Sequence, residues 1–121
     1  MPSATPTAGC SITSFELHAA GSGSTFLYDL LPGGSYMPDL SLELTIVAIA
    51  SGDCSSTSIV LELTGPGSHP PRTESIAPYT LFGDGGGMLG GEELDAGTYT
   101  MSAFPVGLPV SNSLTISFTL S

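Results

Sequence analysis

Apolar and polar residues alternate along most of this chain with a period of two. Ile12, Phe15, Leu17 and Ala19 recur with polar residues between them, which predicts a first strand over residues 11–19. The Gly21-Ser22-Gly23-Ser24 turn leads into a short strand over residues 25–30, stopped by Pro32-Gly33-Gly34. Leu40, Leu42, Leu44, Ile46 and Ala48 then alternate without a break, with Ser41, Glu43 and Thr45 opposite. That is the clearest strand pattern, and it predicts a central strand. Beyond the Ser51-Gly52-Asp53 turn, Ile59, Leu61 and Leu63 form the next inward face. Residues 65–71 hold three Pro and two Gly and cannot be helical. Ile76, Tyr79, Leu81 and Phe82 predict a strand over residues 75–82, at an edge or bulged because it contains Pro78. Residues 84–91 read as a long turn. Strands over residues 98–104 and 114–120 follow, the last with Leu114, Ile116, Phe118 and Leu120 on one face.

No segment carries a helical period. Seven or eight short strands at this spacing predict an all-β domain, a two-sheet antiparallel β-sandwich of immunoglobulin or fibronectin-III type. The run Asp95-Ala96-Gly97-Thr98-Tyr99-Thr100-Met101 fits that class. Such domains place a tyrosine near the start of the penultimate strand, its hydroxyl bonded to backbone just upstream. Tyr99 is the candidate corner residue, and Met101 takes the inward slot that antibody domains fill with cysteine. The chain has no Trp, so the relation is architectural. Residues 1–10 read as a Pro/Ser/Thr-rich arm or linker and residues 11–121 as the sandwich.

Composition narrows the function classes. Hydrophobic residues make up 40%, enough for a core at 121 residues, despite 16 Gly and 10 Pro. Charged residues make up 10%, with 11 acids against a single Arg and no Lys, where soluble domains usually hold about 25%. The formal charge of −10 excludes nucleic acid and anionic membrane surfaces as partners, since both need clustered bases. The longest apolar run, residues 44–50, is of strand length and cannot span a bilayer as a helix. The first ten residues have neither the basic start nor the apolar centre of a signal peptide. A Ser/Thr-covered surface points to an extracellular or cell-surface setting.

Cys10 and Cys54 fall just outside predicted strands. Bridged, they would close a loop of about forty residues, worth roughly 4 kcal/mol; the competing reading is two free thiols. Arg72 is the sole base, and its planar fork suits bidentate pairing with a carboxylate. Glu74, Asp84 and Asp95 are its candidate partners in a structural ion pair; the alternative is capture of a carboxylate from a ligand or neighbour. Asp84, Glu92, Glu93 and Asp95 form an acidic, Gly-rich segment able to offer calcium its oxygen ligands, although the spacing matches no EF-hand. A solvated acidic loop is the other reading. His18 and His69 are the only histidines, with His69 read as surface decoration in a Pro-rich loop. No nucleophile elbow or Cys-His signature is present, so the chain reads as non-catalytic, with no cofactor other than calcium. Support for sugar platforms is thin: Tyr28, Tyr36, Tyr79 and Phe82 are the rings outside expected core positions. N-x-[ST] sequons are absent.

RTESIAPYTLFGD (residues 72–84), a Gly-rich turn and LDAGTYTMSAFP (residues 94–105) resemble a β-sandwich module repeated in bacterial and protist extracellular and surface proteins. Its usual run is close to RTENxAPYxLxGD followed by LxxGxYxLxAxP. ITSFELHAAGSG (residues 12–23) is similar to that module's first strand and turn, so the resemblance spans most of residues 11–120. The two cysteines and the Pro/Thr-rich start depart from the pattern. The resemblance implies a non-catalytic module attached to adhesins, secreted enzymes or surface assemblies. The expected function is therefore a structural subunit or repeat of a fibre, sheath or adhesin, self-associating through sandwich ends and the arm. The alternative is a carbohydrate- or protein-binding module that uses calcium.

Overall fold

The structure is a computed structural model that describes residues 10–22, 25–67, 69–85 and 88–121. The arm predicted for residues 1–10 thus lies outside it except for Cys10. The strands, in chain order, are β1 (Ser11–Ala19), β2 (Gly21–Ser22), β3 (Thr25–Leu30), β4 (Gly34–Tyr36), β5 (Leu44–Ser51) and β6 (Ile59–Thr64). They continue with β7 (Arg72–Glu74), β8 (Tyr79–Thr80), β9 (Asp84–Gly85), β10 (Met88–Leu89), β11 (Gly97–Pro105) and β12 (Leu114–Leu120). A single 3-10 turn, Val110–Asn112, precedes β12, and the described residues contain no α-helix.

Two principal sheets face each other. One has four strands in the order β3-β1-β5-β8, the other five in the order β4-β12-β11-β6-β7. The sandwich therefore has nine strands rather than seven or eight, and a small third sheet, β2-β10-β9, forms from the two segments read as turns, residues 21–24 and 84–91. The neighbours β12, β11 and β6 reproduce the G-F-C order of immunoglobulin-type sheets. The sheets are antiparallel except at one edge, where β4 runs parallel to β12, with Ser35 opposite Thr119.

The core follows from the alternation. Phe15 and Leu17 of β1, Leu44, Ile46 and Ala48 of β5, and Ile59, Leu61 and Leu63 of β6 all point between the sheets. Tyr99, Met101 and Ala103 of β11 meet Ile116, Phe118 and Leu120 of β12 there, and the Tyr99 and Phe118 rings stack at 5.7 Å. A period-two pattern can bury one face of a strand only if the opposite face stays polar. β5 breaks that rule. Thr45, predicted outward, is fully buried, as is Thr80 on the neighbouring β8. The chain near Glu92 bridges β5 through Leu44, with N···O distances of 2.8 and 3.0 Å, and Leu81 donates to the Ile46 carbonyl.

Three predicted elements change. The strand predicted from Leu40 begins only at Leu44, because Asp39 accepts bonds from the Ser41 amide and hydroxyl and turns the chain. The strand over residues 75–82 shrinks to Tyr79–Thr80, leaving Ile76 77% exposed. Gly34, read as the end of the Pro32-Gly33-Gly34 break, instead opens β4 (Gly34–Tyr36) through its parallel pairing with β12. The burial contrast sets a test. Phe15→Ala should lower the unfolding free energy by about 3–5 kcal/mol in urea denaturation, while Phe26→Ala on the exposed edge strand β3 should change it by less than about 0.5 kcal/mol.

Candidate functional site

Three connections meet at one end of the sandwich. Asp53 accepts from the Ser55 amide at 3.0 Å and its hydroxyl at 2.6 Å, forming a tight turn around Cys54. Cys54 is disulfide-bonded to Cys10, at the start of β1, and both cysteines are buried. Asn112, the only Asn in the chain, is fully buried and donates from Nδ2 to the Cys10 carbonyl at 2.8 Å and to the Ser11 hydroxyl at 3.2 Å. The β5–β6 turn, the start of β1 and the β11–β12 connection are thus tied together. Hydrogen bonds, first from the Ser55 hydroxyl and then from its amide, hold the Asp53 carboxyl below the usual carboxylate range.

At the opposite turn of β11, the Tyr99 hydroxyl donates to the Asp95 carbonyl at 2.7 Å, the geometry of a tyrosine corner. Gly65 makes room for the ring: a Cβ there would lie 2.6 Å from a Tyr99 ring carbon. His69 is not surface decoration. Its side chain is 5% exposed, Nε2 donates to the Pro66 carbonyl at 2.8 Å, and Nδ1 lies 3.6 Å from the Glu92 carboxylate. Its ring sits between Phe82 and Tyr99, 6.1 and 6.2 Å away. Packing inside the corner buries it, something a Pro-rich loop does not advertise.

Arg72 binds Glu74 through Nε. Glu74 is buried on the edge strand β7, where an unpaired carboxylate would be costly, so the guanidinium neutralises it. The rest of the guanidinium lies over Gly83, whose φ of +82° suits only glycine and whose missing side chain leaves the space. Arg72, Phe82, Gly90 and Glu92 line a polar groove of about 370 Å³. Asp95 contributes its carbonyl to Tyr99 rather than its carboxylate to Arg72. The Asp84 carboxylate lies outside the described side chains. Of the four candidate calcium ligands, Glu92 lies beside His69 and Glu93 is exposed; among the described residues no three acidic, His or Cys side chains converge.

Comparison with family models, with curated proteins and with solved structures finds no match for this chain. Its own geometry carries the functional argument. Two features were not anticipated from the residues: the buried Asn112 and the buried His69 side chain. Asn112 being the only Asn in the chain was the one available signal for the first.

Two outcomes follow. Replacing both Cys10 and Cys54 by Ser should cost about 4 kcal/mol of unfolding free energy in denaturant titration. Burial raises the Tyr99 phenol above its ordinary value of 10.0, and the nearby Asp95 charge adds to the rise. The unfolded chain therefore ionises first, so this contribution is complete below pH 10.0 and declines as pH rises past it. Tyr99→Phe should lose about 1 kcal/mol at neutral pH. It should also show a shallower alkaline decline than the parent protein in denaturation series run from neutral to about pH 11.

Proposed function

We propose that this chain is a non-catalytic extracellular structural module, a subunit or repeat of a surface fibre, sheath or adhesin. It assembles with neighbouring copies through the sandwich ends and the N-terminal arm. The observation that carries this reading is the treatment of Cys10, the first described residue after the arm. Tension arriving along residues 1–9 reaches a residue that is covalently joined to Cys54 and hydrogen-bonded to Asn112. The load passes at once to the β5–β6 turn and the β11–β12 connection, so β1 is not peeled away strand by strand.

Three further features support it. A disulfide belongs to oxidising compartments. A surface with one Arg and no Lys approaches another copy with few ammonium or guanidinium groups to desolvate. Among the described residues β3 is the edge strand of the four-stranded sheet, and it exposes Phe26 at 48%, a setting suited to strand addition. The resemblance of residues 72–105 to a repeated surface module agrees with the same class. A second reading, a carbohydrate- or protein-binding module, is supported by a cavity beneath the β11–β12 connection.

Negative-stain electron microscopy of the full chain, with calcium and with chelator, tests the assignment beside a variant lacking residues 1–9. The full chain should form filaments or strings of particles, and the shortened chain should remain folded and single. Loss of filaments on chelation would assign calcium to the assembly. Equal assembly of both forms would exclude the arm, and single particles under every condition would overturn the structural reading.

A further inference from the structure

The outward face of the five-stranded sheet is a grid of hydroxyls. Across β11 and β12, Thr98 meets Thr119 at 3.2 Å, Thr100 meets Ser117 at 3.2 Å, and Ser102 meets Thr115 at 3.0 Å. β6 extends two rows, placing Thr64 beside Thr100 and Glu62 beside Ser102. At one end of this grid the β11–β12 connection borders an open cavity of about 430 Å³, a volume typical of small-molecule sites. Its polar lining is Glu62, Ser102, Thr115 and Ser113, whose hydroxyl is spent on the Val110 carbonyl; its apolar lining includes Phe104, Val106 and Val110. Those three are 37%, 54% and 87% exposed, far more than the aliphatic core requires.

We propose that this cavity binds a neutral sugar residue of a glycan. A ligand here must satisfy three kinds of group together. The carboxylate of Glu62 only accepts hydrogen bonds. Ser102 and Thr115 share one bond between two hydroxyls, which leaves the pair one free donor and several lone pairs. Phe104 and the two valines offer a face to C–H groups and no hydrogen bonds. A pyranose ring carries hydroxyls that donate and accept around its edge and a C–H face that packs on an aromatic ring. An anionic ligand meets Glu62, no cation among the lining residues, and a chain of formal charge −10. An ammonium group would suit Glu62 but has no lone pair for the free hydroxyl donor.

The rim is held in place before any ligand arrives, which limits the ordering cost of binding. The Asn112 amide bonds the Pro109 carbonyl at 2.9 Å and the Ser113 amide the Val110 carbonyl at 3.0 Å. The Asn112 side chain anchors this turn to Cys10 and hence to the disulfide. The knot that takes up tension in the structural reading also fixes the wall of the cavity.

Amide chemical-shift titration of the full chain tests the proposal. The probes are soluble oligomers of glucose, mannose, galactose, xylose and N-acetylglucosamine, with an oligouronate and oligolysine beside them. At least one neutral oligomer should cause saturable shifts centred on Glu62, Ser102, Phe104 and Val110. Phe104→Ala should weaken that binding about tenfold. Val110→Ser, at a rim position 87% exposed, should weaken it as well and serves if Phe104→Ala fails to fold. Phe26→Ala, on the other sheet, should leave it unchanged. The proposal is overturned if no neutral oligomer shifts these amides, if shifts map elsewhere, or if both rim variants bind like the parent. Binding of oligouronate or oligolysine alone would overturn it too.

Discussion

Cys10 carries two ties at once: its sulfur joins Cys54, and its carbonyl receives the side-chain amide of Asn112. The first links β1 to the turn where the chain leaves the four-stranded sheet for the five-stranded one. The second links β1 to the hairpin connection of the five-stranded sheet. A two-sheet sandwich is held together mainly by non-directional burial between its layers, and burial alone resists sliding poorly at the ends. A covalent link and a buried amide at one end supply the directional constraint. The position of the β11–β12 connection, and the cavity under it, depend on that constraint.

At the other end the directional contact is Tyr99. Its ring belongs to the core and its hydroxyl to the loop, so one side chain couples burial to loop geometry. His69 and Gly65 complete the corner, one by filling space and the other by leaving it. Between the two ends the sheet faces carry little charge. The one guanidinium in the chain is bound to the buried Glu74, which leaves the remaining surface without a strong cation. Contact with a neighbour or ligand therefore falls to hydroxyls, carboxylates and the few exposed apolar side chains.

Much of the fold was legible as a period of two. β1, β6, β11 and β12 lie where Phe15 and Leu17, Ile59 to Leu63, Tyr99 to Ala103 and Ile116 to Leu120 alternate. Leu40 and Leu42 carry the same alternation and do not form a strand. Asp39 and Ser41 satisfy the backbone locally, and a turn won against an extended strand with no partner there. The opposite error concerned Gly34, read as part of a break, which opens a strand that exists only because β12 lies beside it.

The sequence by itself determined the class of fold, the one-sided burial of most of its long strands and the chemistry available to its surface. These follow from alternation and from composition, which are properties of the chain in order. Only the tertiary structure decided which distant residues meet. It brought Asn112 to Cys10, His69 under Tyr99, Arg72 over Gly83, and Glu62 beside Ser102 and Thr115. The physical reason is that such contacts depend on sheet order and register, and nothing in a local pattern encodes which strand becomes another's neighbour.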